Sequence, residues 1–170
     1  PKPLQKPFEL PEPNSDMRRV FAYLTKQRFI DPQIISHFAH EHKIYEDSKY
    51  HNAVFVGMDK SGTARQASVR STLSFGKTFR ITVANSDTKY SFSHFGNDEK
   101  LFVFEAPIDM LSFITLYQKD WQQHSYIAMN GVYESAVLKA LENRPDLNEI
   151  YLCTDNDEGR IEAAERLGDI

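Results

Sequence analysis

The chain has 170 residues, of which 41% are hydrophobic, 12% aromatic and 26% charged. This composition is typical of a folded globular protein and excludes a collagen-like fibre or a fully disordered chain. No apolar run approaches the roughly 20 residues that a bilayer crossing needs, and no signal-peptide pattern is present, so we expect a soluble, cytoplasmic protein without a membrane partner. The one cysteine, Cys153, cannot form an internal disulfide, which suits a reducing compartment.

The formal net charge of −4 is divided unevenly along the chain. Residues 1–96 contain 14 Lys and Arg against 9 Asp and Glu, a net +5, whereas residues 97–170 contain 6 against 15, a net −9. Two modules with different tasks would explain this asymmetry, and so would ordinary solvated surface. The chain begins at Pro1 without a methionine and stops inside a predicted helix, so we expect a fragment of a longer protein.

Five prolines among the first 13 residues predict an extended linker over residues 1–14. Apolar residues at helical spacing then predict two short helices. The first has Asn14 or Ser15 as its cap, and the second is capped by Asp31 with Pro32 at its first position.

Strand patterns follow the two predicted helices. Residues 53–58 and 63–70 flank a turn-like segment and predict a hairpin, and residues 79–83 and 90–92 predict further strands. The sequence therefore predicts an α+β front domain over residues 15–96.

The last third of the chain has a different pattern. Three short, unbroken apolar runs occupy residues 101–104, 126–129 and 150–153. Predicted helices alternate with them, beginning at Pro107, after Asn130-Gly131 and at Gly159. Strands buried on both faces read as continuous apolar runs, and their alternation with helices indicates a mainly parallel sheet. We predict an α/β domain over residues 97–170.

Acidic residues follow two of these runs. Glu105 and Asp109 come after the first run, and Asp155 and Asp157 come after the third. If those two strands are neighbours, their carboxylates share one sheet edge, and a divalent cation would relieve the repulsion between them. An all-oxygen set favours Mg²⁺. Two other interpretations remain: the aspartates cap the next helix, or residues 154–165 form an EF-hand loop, which Thr154 at its first position opposes.

These motifs carry a resemblance to a known family. The segments Phe104-Glu105-Ala106-Pro107-Ile108-Asp109 and Thr154-Asp155-Asn156-Asp157-Glu158-Gly159-Arg160 resemble the Toprim domain shared by bacterial primases and topoisomerases, and Asn130-Gly131 resembles the loop between its motifs. The front half resembles the domain of unknown function that precedes Toprim-like modules in primase-like proteins of Gram-positive mobile elements, through Tyr23-Leu24, Arg28-Phe29-Ile30, Val54-Phe55-Val56-Gly57, Asp59, Gly62 and Arg70. It is also loosely similar to DnaG-type primases.

The resemblance implies a role for each acid. Asp155 and Asp157 would bind Mg²⁺, or Mn²⁺, while Glu105 would complete the metal site or act as general acid or base, with Asp109 as a supporting catalytic carboxylate. The sequence departs from the family pattern at Ala106, where a glycine is frequent, and it stops before the family's final strand.

The function implied is Mg²⁺-dependent nucleotidyl transfer by a DNA primase-like enzyme in plasmid or mobile-element replication. Single-stranded DNA, nucleotides and further domains such as a helicase or relaxase would be its partners. Two alternatives remain open: a nucleic-acid-binding or scaffold module without independent catalysis, and a Toprim nuclease.

Basic residues are interspersed with aromatic residues along the predicted strands of the front half. We predict that five of them contact nucleic acid, namely Arg65, Arg70, Lys77, Arg80 and Lys89. A half-buried sheet with alternating polar residues is the competing interpretation.

Three further features have structural explanations at hand. Two short helices are predicted over residues 17–42, and a structural role in packing is favoured for them over a DNA-binding helix-turn-helix. The histidines at positions 37, 40 and 42 suggest zinc, but the sequence shows no fourth ligand at a suitable spacing, so a solvated helix face is favoured. Trp121 and Cys153 are predicted to be packing residues.

Overall fold

A computed structural model describes residues 6–73, 79–131 and 134–153. Its helices are α1 (Arg18–Ala22), continued by a π-helical turn (Tyr23–Gln27), α2 (Pro32–His40), α3 (Pro107–Leu116) and α4 (Ser135–Asn143), with a 3-10 turn at Trp121–Gln123. Its strands are β1 (Ile44–Glu46), β2 (Ala53–Met58), β3 (Ala64–Arg70), β4 (Arg80–Thr82), β5 (Ser93–His94), β6 (Lys100–Phe104), β7 (Ser125–Ala128) and β8 (Glu149–Cys153).

The strands form two sheets, which we call the front sheet and the rear sheet. The front sheet has the order β1-β2-β3-β4 and is antiparallel throughout. The rear sheet has the order β5-β7-β6-β8; β6 pairs in parallel with both β7 and β8, and β5 joins antiparallel to β7. The predicted mixed fold, with a mainly parallel sheet in its second half, is confirmed.

The start of α2 follows its sequence signals. Asp31 Oδ1 accepts a hydrogen bond from the Gln33 N–H at 2.8 Å, and Pro32 occupies the first helical position. The cap predicted for α1 is wrong, because the residue that precedes this helix is Met17. The N–H of Val20 is satisfied instead by Glu46 Oε1 of β1, at 3.0 Å.

Two strands differ from the sequence prediction. Strand β1 was not predicted, because three residues ending in a glutamate carry too little apolar pattern. The strand predicted at residues 90–92 lies later, at Ser93–His94, where two residues pair with Tyr126 and Ile127.

The segment before α1 lies on the front sheet. Tyr45 Oη donates to the carbonyl of Pro11 at 2.6 Å, and the Asn14 N–H donates to the Glu46 carbonyl at 2.8 Å. Phe8 packs beside a cluster of apolar residues on the outer face of this sheet that includes Val54 and Val69. Residues 6–14 are therefore extended and held against the body.

The main core joins the two halves of the chain. Phe38 of α2, Phe55 of β2 and Phe92, which precedes β5, pack in one cluster with Phe104 and Tyr126 from the second half. A second cluster lies between the rear sheet and α4, and includes Val103 and Val137. Trp121 is buried in the main core and Cys153 packs against it, as predicted for both. The front and rear sheets are thus held in contact by shared apolar packing.

Candidate functional site

Glu105 lies where β6 ends, at the carboxyl edge of the rear sheet. Its side chain is half-buried, and its carbonyl accepts a hydrogen bond from the Gly131 N–H at 2.8 Å. The neighbouring Met129 N–H donates to the carbonyl of Phe104 at 2.7 Å. These bonds hold the backbone of Glu105 against the loop after β7, so two strand ends meet at this point.

Asp109 lies in the first turn of α3, which begins directly after this edge. Pro107 is at the first position of α3, and the Asp109 side chain is half-buried. A carboxylate in the first turn is stabilised by the positive end of the helix dipole, which by itself accounts for an acid here. The predicted order is therefore present, with Glu105 on the strand end and Asp109 on the helix that follows.

The strand that leads to the second acidic motif is the neighbour of β6. Phe104 pairs with Cys153, so the last described residue lies beside the strand end that carries Glu105. The first and third apolar runs are therefore neighbours, which was the condition for the acids after them to share one sheet edge. Asp155 and Asp157 lie outside the described residues.

The loop after β7 connects the rear sheet to the front sheet. Asn130 and Gly131 both have positive φ, 52° and 115°, as the predicted turn requires. Asn130 Nδ2 donates to Thr82 Oγ1 of β4 at 2.8 Å. The edge strand of the front sheet is thereby attached to the carboxyl edge of the rear sheet.

Through this hydrogen bond, one face of the front sheet lies towards the carboxyl edge of the rear sheet, where Glu105 is located. Arg70 and Arg80 are directly paired in register across β3 and β4, so their side chains project from the same face as Thr82. Arg80 is exposed, whereas Arg70 is half-buried and donates from Nε to Tyr23 Oη at 3.0 Å. Arg70 therefore holds the π-helical turn, and Arg80 is the more accessible cation.

The remaining predicted nucleic-acid residues have different surroundings. Arg65 is exposed, and its Nε donates to Asp59 Oδ2 at 2.8 Å. The Ser61 hydroxyl and the Arg65 guanidinium hold the pKa of Asp59 well below its usual range. Lys89 is exposed, and Lys77 lies outside the described residues.

A pocket of about 500 Å³ between the two sheets collects further cations, and we call it the basic pocket. Its basic lining residues are Lys43, Lys60, Lys89, Lys139 and Arg144. Tyr90 and Phe95 add aromatic rings, and Asp59 is the acid among its described lining. Four of the five cations were not predicted, because they come from separate segments that only the tertiary structure brings together.

The predicted solvated face of histidines is correct for His40 and His42, which are exposed. His37 differs, because its ring is mostly buried and lies edge-on to Trp121 and His94, with centroids 4.9 and 5.6 Å away. Burial lowers the pKa of His94. Nothing in the spacing of the sequence indicated that His94, 57 positions further on, joins His37.

The chain matches two described families along its length. Residues 102–170 match the Toprim-like family, and residues 22–98 match a protein family of unknown function, DUF3991. An uncharacterized protein of Bacillus anthracis, pXO2-78, is 29% identical over 160 residues, which are 88% of this chain and 46% of the relative. The chain thus spans less than half of that relative's length.

Solved structures of primases share the fold. The primase fragment of the bacteriophage T7 primase-helicase protein is 21% identical, with a TM-score of 0.55 over 82% of this chain and 56% of that one. The Escherichia coli primase catalytic core is 14% identical, with a TM-score of 0.57 over 91% of this chain and 60% of that one. The Aquifex aeolicus primase, solved with its zinc-binding and RNA polymerase domains, is 12% identical, with a TM-score of 0.56 over 86% and 46% of the two chains.

None of the helices in the described ranges combines the length and the apolar character that a membrane crossing requires.

Proposed function

Because this chain carries a Toprim-like domain behind a DUF3991 domain, we propose that it is the Mg²⁺-dependent module of a primase-like protein. In this proposal it transfers nucleotides on single-stranded DNA in plasmid or mobile-element replication, beside further domains such as a helicase or relaxase. The observation that carries the proposal is the parallel pairing of β6 with β8, because it brings Cys153 beside Phe104, and the two acidic motifs follow these two residues in the sequence. The fold that the chain shares with primase cores supports it.

The donor atoms suit a hard divalent ion. Glu105 and Asp109 supply half-buried carboxylates at the sheet edge, and Asp155 and Asp157 add two more in the sequence that follows β8. Mg²⁺ prefers oxygen ligands and is held in proteins by a few carboxylates together with water and phosphate oxygens. When bound, the ion neutralises charge that develops on the transferred phosphoryl group.

The protein groups have distinct tasks in this proposal. Glu105 either completes the ligand set or accepts the proton of the attacking hydroxyl, and its fixed backbone sets the position of that carboxylate. Asp109 supports it from the first turn of α3. Arg80 projects from the sheet face that is attached to this edge through Thr82 and Asn130, where it would hold a phosphate of the template or primer.

Metal titration tests the site. Isothermal titration of the chain with Mg²⁺, and separately with Mn²⁺, should show binding that the double variant Asp155→Asn/Asp157→Asn abolishes. Asp120→Asn is the matched control, because Asp120 is exposed, lies outside the proposed site and has a positive φ that asparagine also adopts. Unchanged Mg²⁺ binding in the double variant would overturn the assignment of these ligands.

Product analysis tests the reaction. With a single-stranded template, nucleoside triphosphates and Mg²⁺, we expect short primers from the chain and at least a roughly 100-fold loss of rate in Glu105→Gln, as general acid–base residues typically contribute. Cleavage of the template in place of synthesis would identify a nuclease and overturn the proposal.

A binding module without independent catalysis is the second candidate, and the basic pocket favours it. The pocket is built from cations of both halves of the chain and does not include the acidic edge residues Glu105 and Asp109 in its lining. Salt-dependent binding of single-stranded DNA without synthesis or cleavage would support this candidate over the enzyme.

A further inference from the structure

Three side chains with metal-binding atoms converge around α2 and β5, and none of them belongs to the proposed Mg²⁺ site. They are His37 within α2, Glu41 directly after it, and His94 on β5. One nitrogen of each imidazole and one oxygen of the carboxylate all lie within 4.8 Å of one another. Metal ions bind where such atoms already converge, because little rearrangement is then needed to close the site.

The hydrogen bonds leave lone pairs available at this cluster. His94 Nε2 lies 2.9 Å from the carbonyl oxygen of Gln122, which can only accept, so this nitrogen carries the proton and Nδ1 carries the lone pair. His37 Nε2 is buried without an aligned hydrogen bond among the described residues, 3.3 Å from Glu41 Oε1. A carbonyl that fixes the tautomer of a histidine is the usual outer-shell partner of a metal ligand.

We propose that His37, Glu41 and His94 form a second metal site, which binds Zn²⁺. Two imidazole nitrogens and one carboxylate oxygen are a ligand set that suits Zn²⁺ and other late first-row divalent ions and does not suit Mg²⁺. The site therefore differs in chemistry from the all-oxygen edge at Glu105.

A pocket of about 460 Å³ lies against His37, one of the three proposed ligands. His37 lines this pocket together with His40, Trp121 and Gln122. With three protein ligands, the fourth tetrahedral position of Zn²⁺ is taken by water, which this opening can supply.

Lys43 competes with the ion for the carboxylate. Its Nζ lies 3.6 Å from Glu41 Oε1 and donates to the carbonyl of Ser93 at 3.0 Å. Zn²⁺ must therefore displace or share this ion pair, and the ammonium weakens binding by Coulomb repulsion. It follows that Lys43→Met should bind Zn²⁺ more tightly than the unmodified chain.

The location of the ligands defines what the ion would do. His37 belongs to α2 and Glu41 directly follows that helix, whereas His94 belongs to β5 of the rear sheet. A metal ion bound to all three side chains would connect α2 to β5. Because the three ligands come together only in the folded chain, the ion would stabilise the folded state relative to the unfolded state. A 100-fold excess of Zn²⁺ over its dissociation constant should raise the melting temperature by about 5 °C or more.

Titration of the tag-free chain with Zn²⁺, and with Co²⁺ as an absorbing substitute, tests the site. We expect one Zn²⁺ per chain, a visible Co²⁺ spectrum of four-coordinate type, and at least a roughly tenfold loss of affinity in His94→Gln and in Glu41→Gln. His42→Gln is the matched control, because His42 is exposed on the same segment and does not line the pocket against His37. Melting curves without metal establish that each variant folds.

The outcomes separate this site from the proposed Mg²⁺ site. Glu105→Gln and Asp155→Asn/Asp157→Asn should leave Zn²⁺ binding unchanged, whereas His94→Gln should leave Mg²⁺ binding unchanged. Zn²⁺ binding that the control His42→Gln weakens as much as His94→Gln does, or that Lys43→Met does not strengthen, would overturn the proposal. So would the absence of a Zn²⁺-dependent rise in the melting temperature.

Discussion

The buried side chains of the front sheet include charged and polar ones, whereas the buried side chains of the central strands of the rear sheet are chiefly apolar. Glu46 on β1 is 2% exposed and accepts hydrogen bonds from Val20 N–H, Asn14 Nδ2 and His51 Nδ1. On β6, Leu101 and Val103 are fully buried among apolar neighbours. The first arrangement depends on specific partners and the second on packed area, so the two sheets should respond differently to substitution.

Removing a ring from the core behind the rear sheet should have the largest effect. Phe104→Ala deletes a side chain that is 2% exposed in the shared core, and we expect the free energy of unfolding to fall by about 4 kcal/mol. Phe95→Ala is the control, because Phe95 is 42% exposed and should cost under about 1 kcal/mol. Urea titration followed by fluorescence measures both, and equal losses would contradict the packing argument.

Replacing the buried acid of the front sheet tests the polar arrangement. Glu46→Leu keeps a similar side-chain volume but removes the carboxylate that accepts hydrogen bonds from the Val20 N–H and Asn14 Nδ2. We expect the free energy of unfolding to fall by about 3 kcal/mol. Glu142→Leu, on the exposed face of α4, should change stability by less than about 0.5 kcal/mol. A loss in Glu46→Leu no larger than in this control would show that apolar packing also governs the front sheet.

A glycine where β2 contacts the segment that leads into β5 gives the next effect. A Cβ on Gly57 of β2 would lie 2.6 Å from Ser91 Cα, so Gly57→Ala must push the two backbones apart, at a cost of about 2 kcal/mol. Gly62→Ala meets no atom but has a φ of +82°, and should cost about 1 kcal/mol. If both variants lose the same stability in urea, the close approach of β2 to residue 91 is not a constraint.

The basic pocket predicts the smallest effect, on binding and not on stability. Among the described residues Lys60 and Lys89 have no ion-pair partner, so Lys60→Gln/Lys89→Gln should weaken single-stranded DNA binding several-fold and reduce the salt slope by about 1.4. Lys49→Gln/Lys119→Gln removes the same charge outside the pocket. Fluorescence anisotropy at several salt concentrations compares the two, and equal slopes would remove the pocket from the interface.

The two sheets also differ in how far the sequence predicts them. The apolar runs of the rear sheet predict β6, β7 and β8 and place Glu105 at a strand end, whereas the order of the runs along the chain does not reveal that β6 pairs with β8. Strand β1 could not be predicted, because the burial of Glu46 depends on hydrogen bonds from Asn14 and Val20, which are 32 and 26 positions away in the sequence. The periodicity of apolar residues indicates which face of a segment is buried, but it does not indicate which distant groups supply the segment's hydrogen bonds.

The same limit applies to the candidate sites. Glu105 can be predicted at the carboxyl edge because it follows β6 directly. The basic pocket and the cluster of His37, Glu41 and His94 cannot, since their members lie on separate elements and have no common spacing. A motif within one segment is visible in a sequence, whereas a site assembled from several segments depends on the tertiary fold.

The central place of β6 has a consequence for how the protein is made. Each strand of the front sheet pairs with the strand next to it in sequence, so this sheet can assemble as the chain emerges from the ribosome. Strand β6 pairs on one side with β8, which begins at Glu149, so that edge of β6 stays open until the last described strand has been synthesised. During that interval an apolar strand with an unpaired edge is exposed, and this is the stage of synthesis at which aggregation and chaperone binding are expected.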